Sequence, residues 1–196
     1  MKNVTWHCRC GRVKGSVEEL SPTCANRCIC YCHDCRAFLH HLGREDLIDP
    51  RGGIDIVQVP RAHLAIDEGR DQLRCLRLTP RGLHRWYTEC CKTPVANTMP
   101  RVPFAGLSPS ALAAPARELP DPDLIHGKSA VGGIPPGASA TLGLRAIARP
   151  AKLFASWMAR GLGHPTPLFD RSEHPSVEPT VLTPAERQKL REHPRA

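Results

Sequence analysis

From residue 4 to about residue 100, apolar residues come in short runs broken by turn residues, a pattern of brief strands rather than long helices. Strands are predicted at Arg12 to Val17, Ile54 to Val59, Leu73 to Leu78 and Leu83 to Tyr87, with Arg61 to Asp67 a further strand or the approach to one. Leu73–Leu78 and Leu83–Tyr87 flank Pro80-Arg81-Gly82, whose residues suit a tight turn, so the two form a β-hairpin that delivers Cys90 and Cys91 at its far end. Cys35 to Leu42 reads as a helical turn. Beyond residue 100 the pattern changes. Ser108-Pro109 is a helix-start signal for a segment reaching about Glu118, and Leu119 to Gly137 reads as loop. Ala138 to Gly161 has helical periodicity, with Leu153 and Trp157, and Phe154 and Met158, at i, i+4 as packing residues. Pro150 either kinks that helix or starts a second one. Thr183-Pro184-Ala185-Glu186 is a capping box, so a short, charged and peripheral helix is predicted over Pro184 to His193.

Composition sharpens the division. Of 20 prolines in the 196 residues, 14 follow residue 100, whereas all ten cysteines lie between Cys8 and Cys91. With aromatic residues at 5%, a large aromatic core is ruled out. The net charge of +8 is spread evenly, without a basic tail or interleaved aromatics, so a nucleic-acid partner is not indicated. The opening residues have no apolar run of the signal-peptide kind, and the longest uncharged stretch, Ser129 to Leu144, is rich in Gly and Pro and too short for a bilayer. A cytoplasmic chain with no membrane partner is therefore expected. Disulfides do not persist in a reducing compartment, so closely spaced cysteines there read as metal ligands.

Three cysteine groups carry the chemistry: Cys8-Arg9-Cys10-Gly11, the run Cys28 to Cys35, and Cys90-Cys91. Zinc takes four thiolate or imidazole ligands at tetrahedral corners, and pairs one or two residues apart chelate it from a single turn. Cys30, Cys32 and Cys35 form a C-x-C-x-x-C triplet that supplies three ligands from one loop. The fourth corner is either open, as in catalytic sites, or closed by Cys24, Cys28 or His33. Cys75, on a predicted strand, reads as a buried small hydrophobe. A phosphate loop, an H-E-x-x-H helix and a nucleophile elbow are all missing from the sequence, which sets those reaction classes aside.

In order and separation, Cys8-Arg9-Cys10-Gly11-Arg12-Val13, Cys30-Tyr31-Cys32-His33-Asp34-Cys35-Arg36 and Cys91-Lys92-Thr93-Pro94-Val95 resemble the glutathione-dependent formaldehyde-activating enzyme (GFA) family, which includes centromere protein V. The resemblance covers about residues 4 to 105. It implies a mainly β zinc-binding domain of the β-tent, Mss4-like kind over residues 1–105, followed by a Pro-rich, partly helical extension over 106–196, α+β overall. It also implies two zinc ions. One is structural, on Cys8, Cys10 and Cys91; the other is catalytic, on Cys30, Cys32 and Cys35. Where the family has another cysteine before the last one, this chain has Thr88, with Cys90 the replacement ligand; a histidine, a water or loss of the ion are the other outcomes. Where the family has glycine after the last cysteine, this chain has Lys92, which loses the residue that most easily takes positive φ.

The activity implied is that of a carbon–sulfur lyase acting on a glutathione or other thiol adduct of formaldehyde or a related aldehyde, with glutathione as co-substrate. Arg36 or Arg85 would pair with its carboxylates and His33 would carry a proton. The competing reading is a zinc-stabilised binding module whose C-terminal half docks a partner or a second copy of the chain. An uncovered patch at Phe154, Trp157 and Met158 would favour it.

Overall fold

The computed structural model describes residues 2–113 and 119–191. Among these residues eleven strands and three α-helices follow in the order β1 (Lys2–His7), β2 (Lys14–Leu20), β3 (Asn26–Cys30), α1 (His33–Leu42), β4 (Ile54–Pro60), β5 (Leu64–Glu68), β6 (Leu73–Arg77), β7 (His84–Thr88), β8 (Pro94–Thr98), β9 (Phe104–Leu107), β10 (Asp123–Ile125), α2 (Leu144–Ala159), β11 (Thr180–Val181) and α3 (Pro184–Arg191). A three-stranded antiparallel sheet has the order β1-β2-β5, and an eight-stranded sheet the order β10-β3-β4-β9-β8-β7-β6-β11. The result is a β-rich α+β fold.

The predicted hairpin is β6–β7, paired from Leu73↔Thr88 to Leu76↔Arg85, with its turn closed by Gly82 N–H donating to the Thr79 carbonyl at 3.0 Å. Arg61 to His63 form one 3-10 turn before β5. The capping box is present: Glu186 N–H donates to Thr183 Oγ1 at 3.3 Å, and Thr183 N–H to Glu186 Oε2 at 2.8 Å. Of the helix expected from Ser108 to Glu118, the described part holds a 3-10 turn at Pro109–Ala111, and residues 114–118 lie outside the described residues. The predicted loop from Leu119 holds the short strand β10, and Pro150 sits within the single helix α2.

The expected boundary after residue 105 falls inside β9. Both outer strands of the large sheet come from beyond it: β10 pairs in parallel with β3, and β11 in parallel with β6. Each covers a row of backbone groups that would otherwise template edge-to-edge association. The later half also completes the core, where Phe169 meets Trp86 edge-on at 5.7 Å and His84 at 5.3 Å. Trp86 itself is fully buried, its indole N–H donating to Thr98 Oγ1 at 2.8 Å. A low aromatic count thus still builds a core, because the few rings are concentrated in it.

Arg61, also fully buried, is held from the later half. Glu173 accepts from both of its terminal nitrogens at 2.8 and 2.7 Å, and also from Arg101 N–H at 3.0 Å. The same carboxylate meets His164 Nε2 at 2.8 Å.

Candidate metal centres

The first centre is built by two turns facing each other. Cys8 ends the run from β1, and Gly11 takes φ +75° so that its N–H reaches the Cys8 carbonyl at 2.9 Å. The opposing turn leaves β7 at Thr88 and returns at Thr93, with Lys92 N–H donating to the Thr88 carbonyl at 2.9 Å. Lys92 has φ +54°. The lysine, where the GFA resemblance expects glycine, therefore adopts the left-handed conformation, at a cost of about 1 kcal/mol. It gains an ion pair with Glu89 and a seat over the Tyr87 ring at 5.4 Å.

These turns bring together the sulfurs of Cys8, Cys10, Cys90 and Cys91, all within 4.8 Å of one another. Cys8–Cys10, Cys8–Cys90, Cys10–Cys90 and Cys90–Cys91 are separated by 3.6, 3.8, 3.4 and 3.8 Å. A tetrahedron of thiolates about 2.3 Å from a zinc ion has edges of about 3.8 Å, so the set fits such an ion. The adjacent pair Cys90-Cys91 reaches one centre from the tight turn between Thr88 and Thr93, with its two sulfurs 3.8 Å apart.

Two hydroxyls polarise Cys91. Thr93 Oγ1 accepts from Arg9 N–H at 3.0 Å and lies 3.2 Å from the Cys91 sulfur; Thr88 Oγ1 accepts from Thr93 N–H at 3.2 Å and lies 3.5 Å from it. Each hydroxyl, having accepted from a backbone N–H, is left to donate to sulfur. Burial opposes ionisation, yet these bonds hold the Cys91 thiol down at about 5. Cys90 also bonds to the Thr88 hydroxyl, but burial first, and then its bond to Cys10, outweigh that contact and push its thiol up to about 12. Thr88, where the GFA resemblance expects a cysteine, is a hydrogen-bonding neighbour of the cluster.

The second centre forms where β3 meets α1. Cys30 is the last residue of β3, Cys32 is the N-cap of α1 with φ −69° and ψ 151°, and Cys35 lies in its first turn. Strand end, cap and first turn converge, bringing the three sulfurs within 4.8 Å of one another. The buried positions Cys35, Phe38, Leu39 and Leu42 repeat at i, i+3, i+4 and i+7 and dock α1 on the sheet. Hydrogen bonds from Cys30 and Cys32, and then the Arg85 guanidinium, hold the Cys35 thiol well below its ordinary value; sharing protons with these neighbours pushes Cys30 upward.

Among the described residues neither Cys24, Cys28 nor His33 joins this cluster. Instead the triplet opens into a cavity of about 370 Å³, bordered by Cys28, Gln58, Arg81, Arg85, Asn97 and His126. Arg85 is buried over the Phe38 ring at 5.3 Å and donates to Asn97 Oδ1 at 3.2 Å. The other expected arginine is engaged elsewhere: Arg36 Nη1 donates to the Tyr31 and Ser129 carbonyls at 2.7 and 2.9 Å, tying the triplet loop to the C-terminal half. His33 turns away with it, its Nδ1 3.1 Å from Arg36 Nη2, into a separate cleft that also includes His40.

A family model described as a family of unknown function, DUF6151, matches residues 1–178. The chain belongs to this family. No curated protein matches its sequence. A crystal structure of a Rhodobacter sphaeroides protein, a Northeast Structural Genomics target, is similar over 61% of this chain and 98% of its own, with 19% identity and a TM-score of 0.41.

In this DUF6151 chain the cysteines outside the two centres are free thiols like the rest. Cys28 and Cys75 are both buried, and burial pushes each thiol up to about 12, so they behave as small apolar residues. His126 was not legible as a site residue. It follows β10, whose Ile125↔Cys30 register sets it beside the triplet loop, and it holds φ +59°. Nothing local in its sequence signals that parallel pairing; its non-glycine left-handed backbone is visible only in the fold. The patch expected at Phe154, Trp157 and Met158 is largely covered in this DUF6151 chain. Trp157 is buried, Phe154 stacks on Phe104 at 5.2 Å, and of the three residues only Met158 is exposed. Among the described residues no helix is long and apolar enough to cross a membrane.

Proposed function

We propose that this DUF6151 protein is a GFA-like, β-tent zinc protein: Cys8, Cys10, Cys90 and Cys91 hold a structural zinc, and Cys30, Cys32 and Cys35 hold a reactive one. The reaction is the reversible joining of a small thiol to an aldehyde, the carbon–sulfur lyase chemistry of the resemblance, with glutathione one candidate co-substrate. The observation that carries the reading is the contrast between the two clusters. The first has four sulfurs turned toward one another; the second has three, and its free side faces the 370 Å³ cavity. Closed four-ligand sites are structural, whereas three protein ligands and an open position are the arrangement of catalytic zinc.

When bound, zinc at the triplet would supply a fourth corner on which a thiol's sulfur is held as thiolate. The protein's own part is to prepare that corner. Arg85 places a positive charge beside Cys35 and offsets the negative charge that three thiolates accumulate. The N-terminus of α1 adds its partial positive charge at Cys35. Asn97, fixed by Arg85, and Gln58 present amides along the cavity wall, while Arg81 at the β6–β7 turn and His126 present cationic or proton-accepting groups. In the addition, the thiol loses its proton, sulfur bonds to the carbonyl carbon, and the carbonyl oxygen gains a proton. His126 is the group in the cavity suited to carry that proton, the role the sequence suggested for His33.

The test is metal content and chemistry in one variant. Cys32→Ser should remove one of two zinc ions per chain and abolish thiol-dependent exchange with formaldehyde, followed by NMR saturation transfer, while the circular dichroism spectrum stays unchanged. Loss of both ions with global unfolding would make the triplet a structural site and end the catalytic reading.

A further inference from the structure

The sheet face beneath the triplet continues well past it. Asn26, Cys28 and Cys30 alternate along β3 and share one face, with Gln58, Ile56 and Ile54 as their partners on β4. Cys30 and Asn26 are therefore separated by about 13 Å of strand. The triplet cavity covers the first part of this face. A second cavity, of about 270 Å³, lies over the far part, and the two share Cys28, Gln58 and Ile125 as wall residues. Its roof is α2, which presents Ile147, Pro150, Ala151 and Phe154 at i, i+3, i+4 and i+7. Phe154 is locked by stacking on Phe104, itself a wall of the triplet cavity.

This second compartment is apolar except for the carboxylate of Asp123, which lies beside Cys28 on β10, and for its floor. There Asn26, only 2% exposed, donates its amide N–H to Gln58 Oε1 at 2.8 Å, while its own carbonyl oxygen is buried with no hydrogen-bond partner. A buried amide oxygen without a partner costs about 1–3 kcal/mol, a cost removed by any ligand that brings a donor to it. Ile147 is 43% exposed at the rim, so the compartment lies open to an entering chain.

We propose that the two cavities form one bipartite substrate site, resting on the reactive-triplet reading above. The sulfur of the substrate thiol reaches Cys30, Cys32 and Cys35, and its apolar arm lies under α2 with an amide or hydroxyl at Asn26. The substrate class is accordingly a long, largely apolar thiol carrying a hydrogen-bonding group about 13 Å from its sulfur. The α2 roof belongs to the half of the chain that the GFA resemblance does not reach, so substrate length is set by this chain's own extension.

The experiment is a titration of the full chain, loaded with cobalt in place of zinc, with ω-mercaptoalkanamides HS(CH2)nCONH2. Arrival of sulfur is read from the cobalt absorption, and affinity from the titration. Binding should tighten about fourfold per methylene and level off once the amide spans the distance to Asn26. Ile147→Glu, at an exposed position, should abolish that length dependence and leave 2-mercaptoacetamide binding unchanged. A flat dependence on n in the wild-type chain, with short thiols still binding, overturns the bipartite site and spares the reactive triplet. Octanamide, which has no sulfur, reads the compartment separately. Binding that Ile147→Glu removes supports the compartment even where no thiol alters the cobalt spectrum, a result that refutes the reactive triplet alone; failure of both probes overturns both.

Discussion

Glu173→Gln keeps the shape of the side chain that clamps Arg61 and removes its charge. The carboxylate accepts from Arg61, Arg101 N–H and His164, and the Arg61 guanidinium first, with these other donors, holds it at about 2 instead of 4.5. At about 1.36 kcal/mol per tenfold change in proton affinity, that difference corresponds to at most about 3.4 kcal/mol; solvent screening at the rim reduces it to about 2 kcal/mol. The folded-state value is depressed, so the stabilisation is complete above 4.5 and is lost as pH falls from there through about 2, where the folded carboxylate also takes up its proton. Urea unfolding of both chains between pH 2.5 and pH 7 should show the variant less stable by about 2 kcal/mol at neutral pH, the gap narrowing steadily below pH 4.5. Release of metal at low pH acts on both chains and cancels in the difference. A gap that does not change with pH would refute the ion-pair account and assign the loss to packing.

His84, buried and lowered to about 4 by desolvation and then by Arg77, works in the same direction: wild-type stability should fall as pH drops from 6.5 to 4, and His84→Phe should remove that limb from the pH profile. Cys90→Ser should release one zinc per chain and lower the melting temperature sharply, while Cys24→Ser leaves both unchanged; equal zinc content in the two variants would remove Cys90 from the ligand set. Lys92→Gly relieves a left-handed backbone costing about 1 kcal/mol and forfeits a surface ion pair of about 0.5 kcal/mol, so a small rise in melting temperature is expected, against a fall for Lys92→Ala. Phe169→Ala should cost about 3–5 kcal/mol in chemical denaturation, because it empties the space between Trp86, His84 and Arg61; a loss below 1 kcal/mol would mean that the later half is only loosely seated.

The outcome at Cys90 shows how far local sequence reaches. C-x-C and C-x-x-C spacings are chelating geometry within one turn, so Cys8 with Cys10, and Cys30 with Cys32 and Cys35, were legible as groups before any fold was known. That Cys90 joins Cys8, Cys10 and Cys91 in one group depends on the tightness of the turn from Thr88 to Thr93, and on Lys92 accepting a positive φ that its residue type disfavours. The capping box at Thr183 and the hairpin around Pro80-Arg81-Gly82 were equally local and equally legible.

The placement of Arg36 shows the opposite case. As a residue type next to the triplet it suits an anion, but its guanidinium is buried against the Tyr31 and Ser129 carbonyls, and Ser129 lies 93 positions away in sequence. Arg85, from a different strand, sits beside Cys35 instead. The same holds for the later half, which in sequence looks like an appendage because proline interrupts its patterns. Three-residue β10 and two-residue β11 carry almost no periodic signal, yet both pair with the large sheet because its outer backbone groups need partners. Spacing along the chain thus determined which cysteines group together and which turns begin or end an element, since those choices involve only a few neighbouring bonds. Which arginine faces the triplet, which histidine borders its cavity, and that α2 roofs a second compartment were decided only by tertiary structure, because they depend on contacts between segments that no local energy term connects.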